Sequence, residues 1–319
     1  MGLFSANWKT KDRNKLDKAL ASVQKTTDPG ELKRIALEAP LAEVKLEAIK
    51  KIGDPLILRE LTLTGNPFVC SEAIARIHDQ AILKELVYSK AAYPDQAVVG
   101  IKDQDVLLEI AKTAPNGAAR VRAAEQITGQ DALKDLVITM VFKDNGSDMT
   151  AAAAASKLEN MEDLNSAEET LRPWGRNAQR TLDSIRRRKI QLLGQGLHDG
   201  ERLILICRKC GKQVRYREYW DQDHDSWEVD GEYYCSCKTH PVKKGAFPEE
   251  PAWEAAVSGK PVNGNYFELC PVCMQVRSAN TGVKVLAKCF HLTWNSGKQR
   301  DEVFNDYKTI TVPYQRAEW

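Results

Sequence analysis

Three observations predict an all-α repeat array of about six helix–turn–helix units, followed by a small β-rich domain stapled by metal. A leucine column recurs at intervals of 24 to 31 residues between Leu32 and Leu164. Seven of the eight cysteines lie between Cys207 and Cys289, in closely spaced pairs. Residues 201–319 also hold 16 of the 23 aromatic residues, whereas the first 200 are rich in Ala, Leu, Ile and Lys. The glycines at 194, 196 and 200 fall where composition changes, which predicts domains at 1–200 and 201–319.

Self-alignment of the first part gives anchor residues Thr26, Ile52, Ile77, Ile101, Ile127 and Leu158. Small Ala48, Ala73, Ala97, Ala123 and Ala154 stand four residues before the last five anchors. Ile49, Ile74, Val98, Ala124 and Ala155 follow them. Leu32, Leu58, Leu83, Leu107, Leu133 and Leu164 come six residues after the anchors, and Ile35, Leu61, Leu86, Ile110, Leu136 and Ala167 come three further on. Such spacing puts one apolar stripe on each of two helices per unit, with alanine permitting close approach. Asp28-Pro29, Asp54-Pro55, Asp79, Asp103, Gly129-Gln130 and Asn160 mark the break between the two helices. Asp and Asn cap the second helix there, and Pro suits its first turn. Ala39-Pro40, Asn66-Pro67, Tyr93-Pro94 and Ala114-Pro115 open the next units. Each unit buries its apolar face only by stacking on its neighbours, the signature of a solenoid.

Lys51-Ile52-Gly53-Asp54-Pro55 with Leu58 and Leu61 resembles the short HEAT-like repeats of phycobilisome lyases, and the unit length is similar to that of leucine-rich-repeat-variant solenoids. The resemblance covers about residues 15–170 and implies an α-solenoid binding scaffold. It does not imply the iron-dependent activity of the deoxyhypusine hydroxylases, whose ligands are His-Glu dipeptides, because this chain has none.

In the second part the candidate ligands read Cys207-x2-Cys210, Cys235-x-Cys237, Cys270-x2-Cys273 and Cys289-x-His291. Zinc favours four thiolate or imidazole ligands in a tetrahedron, and a Cys-x2-Cys knuckle supplies two from one turn. Pairing the first two groups gives a four-thiolate site, and pairing the last two gives three thiolates and an imidazole. Two structural zinc ions are therefore expected. Runs Gln213–Trp220 and Trp227–Tyr234 between the first two groups predict a hairpin resembling a zinc ribbon. A cross-brace resembling a RING ubiquitin ligase would pair first with third, but 32 residues separate the second and third groups here. Disulfides are the rival reading, and they would leave one of the seven cysteines unpaired.

A closed four-ligand site has no open coordination position, and no His-Glu-x2-His, Gly-x-Ser-x-Gly or Gly-x4-Gly-Lys-Ser/Thr motif occurs. No catalytic residue, enzyme activity or small-molecule substrate is expected. The net charge of +2 divides evenly between the two parts, unlike that of a strongly basic nucleic-acid binder. The alternative reading is nevertheless a nucleic-acid-associated factor that uses Arg186, Arg187, Arg188 and Lys189 on the helix spanning 172–189, with exposed aromatics such as Tyr216, Tyr219 and Trp220. Asp221, Asp223 and Asp225 with Glu232 match the acid spacing of a calcium loop, but Ser226 replaces its glycine, so a solvated hairpin turn is expected. Leu3, Phe4 and Trp8 are expected to cap the first repeat. With no secretory leader or membrane-length apolar run, a cytoplasmic scaffold for a protein or peptide partner is the expectation.

Overall fold

The computed structural model describes residues 7–64, 66–89, 93–141, 147–235, 239–241, 253–270, 276–279, 292–295, 300–303 and 308–316. Its helices are α1 (Leu16–Lys25), α2 (Pro29–Glu38), α3 (Ala42–Lys51), α4 (Pro55–Leu61), α5 (Pro67–Ile74), α6 (Gln80–Tyr88), α7 (Pro94–Val99), α8 (Gln104–Thr113), α9 (Gly117–Gln126), α10 (Gln130–Met140), α11 (Ser147–Ala155), α12 (Met161–Leu171) and α13 (Gln179–Gln195). The strands are β1 (Leu203–Cys207), β2 (Arg215–Asp221), β3 (Ser226–Tyr234), β4 (Thr239–Pro241), β5 (Trp253–Val257), β6 (Tyr266–Leu269), β7 (Val276–Ala279), β8 (Leu292–Asn295), β9 (Arg300–Val303) and β10 (Ile310–Arg316). An all-α N-terminal part is thus followed by a β-rich C-terminal region, as expected. The chain forms two compact units, Met1–Gly129 and Gln130–Trp319. That division precedes the composition change at Gly200, because α13 packs on β1 and β5 and its Ile190 belongs to the sheet's apolar core.

In the first unit α1, α3, α5, α7 and α9 contact one another in succession, and α2, α4 and α6 do the same. Every residue of the alanine column and of the two columns after the anchors is buried, as is every anchor except half-buried Thr26. Asp28, Asp54, Asp79, Asp103 and Asn160 each accept a backbone N–H at the start of the helix they precede. Caps of this kind are worth about 1 kcal/mol each. Trp8 closes the first layer, 2% exposed, with its indole donating to Glu31 at 3.1 Å; Leu3 and Phe4 lie outside the described residues. Gly100 lets the end of α7 rest on α6, since a Cβ there would stand 2.7 Å from Leu83.

Three glutamines, each three residues after an anchor, clamp the third, fourth and fifth repeats to the ones that follow. Gln80 donates to Gly100 O (3.0 Å) and accepts from Lys102 N (3.1 Å). Gln104 accepts from Thr128 N (2.9 Å) and donates to Gln126 O (3.5 Å). Gln130 accepts from Glu159 N (3.0 Å) and donates to Lys157 O (3.4 Å). A side-chain amide is suited to this because it carries both a donor and an acceptor. Gln104→Ala is expected to cost about 1 kcal/mol, the net worth of a hydrogen bond. An unchanged urea midpoint would show that the clamp contributes nothing.

In the second unit α11 and α12 pack on α13. Asp148 of α11 accepts from Thr181 N (3.1 Å) and Arg180 N (3.2 Å), capping α13 from a neighbouring helix. The sheet runs β4-β3-β2-β10-β1-β5. β10 is parallel to β1 and β2 and antiparallel to β6, which also pairs with β7. β2 and β3 form the expected antiparallel hairpin. β8 and β9 form a separate pair. Phe267 centres the core, stacked on Tyr314 at 4.4 Å and edge-on to Tyr216 at 5.5 Å.

Candidate metal centre

The first knuckle follows β1. Cys207 N donates to Lys212 O (2.9 Å) and Gly211 N to Cys207 O (2.7 Å), which folds Cys207–Lys212 into a tight turn. Gly211 has φ +66°, the left-handed conformation that glycine adopts without cost. The β2–β3 hairpin then returns the chain to Cys235. The Sγ atoms of Cys207, Cys210 and Cys235 lie within 4.8 Å of one another and could hold a metal ion. Cys207 is buried and the other two half-buried, and none of the described cysteines is in a disulfide. Burial pushes the Cys207 thiol up, opposed by the amides of Cys210 and Lys209, which donate to its sulfur. Thiolates gathered beside backbone donors are the donor set of a zinc knuckle, so the residues present fit a soft divalent ion.

Cys237 lies outside the described residues, as do Cys273, Cys289 and His291. Cys270 is fully buried at the end of β6. A second group, Asp221, His224 and Glu228, lies at the turn of the β2–β3 hairpin. His224 Nδ1 is 2.7 Å from Asp221 and holds that carboxyl below its ordinary range. Asp225 turns with φ +47°, so the predicted hairpin turn is present.

The basic run on α13 points mostly inward. Arg186, Arg187, Arg188 and Lys189 are all half-buried. Lys189 pairs with Glu168, which also accepts from Arg208 at 2.8 Å. Arg186 reaches Asp183 at 3.5 Å, Arg187 reaches Ser184 at 3.1 Å, and Arg188 donates to Leu158 O at 2.6 Å. Burial lowers the Arg186 pKa and raises that of Asp183. Tyr216, expected to be exposed, is 4% exposed and belongs to the sheet core, while Trp220 meets Trp227 edge-on at 5.5 Å.

None of the described helices is long and apolar enough to cross a membrane. A scan of protein-family models, a search of the curated proteins and a search of the solved structures find no match to this chain.

Proposed function

We propose that the chain is a non-enzymatic binding scaffold of the HEAT-like α-solenoid kind, which docks a protein or peptide partner along the even-numbered helices of residues 16–126. The observation that carries this reading is an exposed apolar column. Leu37, Leu63 and Tyr88 all stand eleven residues after their anchors and are 37%, 54% and 37% exposed. Isolated surface apolar residues are ordinary, whereas recurrence at one repeat position sets them in line. Neighbouring helices pack about 8–10 Å apart, so the column spans about 20 Å. A partner helix of about four turns would cover it. Beside the column runs a ladder of exposed ion pairs, Lys33–Glu60, Arg59–Glu85 and Lys84–Glu109 (2.7 Å). Such pairs add little stability, but they rim an apolar strip with charge, as interfaces are rimmed.

The C-terminal region completes the proposal as a zinc-ribbon-like domain. Cys207, Cys210 and Cys235 would hold one structural zinc, with Cys237 the fourth ligand. Cys270, Cys273, Cys289 and His291 would hold a second ion. Reduced thiols suit a cytoplasmic location. The nucleic-acid alternative draws less support, because the arginines it needs are engaged with internal partners.

The test is affinity capture with cross-linking mass spectrometry on the full chain. The triple variant Leu37→Asp, Leu63→Asp, Tyr88→Asp is expected to lose at least tenfold of the captured partner. Leu56→Asp, at a site 61% exposed but off the column, is expected to retain it. Equal capture by both variants would sink the reading.

A further inference from the structure

The β2–β3 hairpin is strongly acidic: seven carboxylates and no lysine or arginine lie between Arg217 and Lys238. At its turn the ligand atoms of Asp221, His224 and Glu228 all lie within 4.8 Å of one another. The strand ladder sets this up. Asp221 opposes Ser226 and Tyr219 opposes Glu228, so both carboxylates stand on one face of the hairpin. The turn, with Asp225 at φ +47°, brings His224 to them. Its Nδ1 stands 2.7 Å from Asp221 Oδ2 and 3.9 Å from Glu228 Oε1. An ion about 2.0–2.2 Å from such ligands spaces neighbouring ligand atoms about 3 to 3.5 Å apart. The two separations straddle that range, so small side-chain rotations would close the group on an ion.

The donors are held from both sides. Asp223 N donates to Asp221 Oδ1 at 2.9 Å, which leaves Oδ2 directed at His224. On the neighbouring rung Trp220 meets Trp227 edge-on at 5.5 Å, and the Arg316 guanidinium lies 4.3 Å over Trp227.

We propose that Asp221, His224 and Glu228 bind a divalent first-row metal ion, at a site separate from the cysteine centre at the other end of the hairpin. An imidazole nitrogen suits zinc, copper and nickel, and the two carboxylates bring the charge that a dication neutralises. Calcium takes roughly six to eight oxygen ligands and finds a poorer set here. Asp223 and Asp225, which belong to the calcium-like spacing, are exposed and add only negative potential nearby.

Isothermal titration of the untagged full chain with Ni²⁺ and Ca²⁺ tests this. Ni²⁺ is expected to bind, with Ca²⁺ at least tenfold weaker. His224→Ala should weaken Ni²⁺ at least tenfold without moving the melting temperature, because the His224 side chain is 65% exposed. Glu228→Gln, which keeps the shape and removes the charge, should weaken it as much. His78→Ala, at an exposed histidine of the first unit, should leave it unchanged. The readout is the Ni²⁺ lost with His224, so it stands whether or not the cysteines hold zinc. No Ni²⁺ binding, or Ca²⁺ binding as tightly as Ni²⁺, would overturn the proposal. So would Ni²⁺ binding undiminished in His224→Ala or in Glu228→Gln, or a loss in His78→Ala equal to that in His224→Ala.

Discussion

Chelating the metal, or replacing Cys207 with serine, is expected to unfold the sheet built from residues 203–316 while the helices of residues 16–126 stay folded. The proposed zinc joins the end of β1 to the end of the β2–β3 hairpin. Cys207 is part of the sheet's core, with Cys210 and Cys235 packed against it. Structural zinc contributes about 10–16 kcal/mol to small domains that depend on it, as much as a whole domain's net stability of about 5–15 kcal/mol. Cys70→Ser supplies the control. It also puts a hydroxyl at a fully buried cysteine, in α5, but removes no metal ligand. That change should cost only about 1–3 kcal/mol. Hydrogen exchange followed by mass spectrometry separates the two: sheet amides lose protection in Cys207→Ser and keep it in Cys70→Ser. Full sheet protection after chelation would end the zinc assignment.

Glu168→Gln is expected to be nearly as damaging. Glu168 is 8% exposed and joins α12 to Lys189 of α13 and to Arg208 after β1. Removing its charge leaves two cations facing each other in a partly apolar site, and breaking a buried pair in this way costs about 3–5 kcal/mol. Its titration gives the pH dependence. Burial pushes the Glu168 carboxyl up, but Lys189 and Arg208 outweigh that and hold it below the ordinary glutamate value. A carboxyl depressed in the folded state stabilises fully above its unfolded value of about 4.3. That stability drains away as pH falls below this value through the folded pKa. The parent chain should therefore lose stability between pH 5 and pH 3 more steeply than Glu168→Gln, by urea midpoint against pH. Parallel curves would show that Glu168 carries no coupled charge.

Much of the helical part was legible because its physics is local. An aspartate before a helix start, and apolar residues at helical spacing, say the same thing within a dozen residues. The caps at Asp54, Asp79 and Asp103 and the burial of Leu107 and Ile110 follow directly. The glutamine clamps are not legible in the sequence, because Gln80, Gln104 and Gln130 are ordinary helix formers in isolation. Their meaning lies in a loop more than twenty residues away. The basic run of α13 shows a similar limit: sequence displays its four consecutive charges together with Asp183 and Glu168, but not that these carboxylates pair with Arg186 and Lys189. At the candidate metal centre the spacing named Cys207, Cys210 and Cys235 correctly as neighbours. It could not place the core role of Tyr216, which depends on Phe267, fifty-one residues later.

The position of β10 bears on how the chain is made. Residues 310–316 lie between β1 and β2 in the strand order, parallel to both. A ribosome adding about 5–20 residues per second releases β1 roughly five to twenty seconds before β10 exists to pair with it. The helices of residues 16–126 contact near neighbours and are free to fold as they emerge. The nascent β1, with buried Leu203 and Leu205, must wait with its apolar residues uncovered. During synthesis, then, the C-terminal region is the part of this protein most in need of a chaperone.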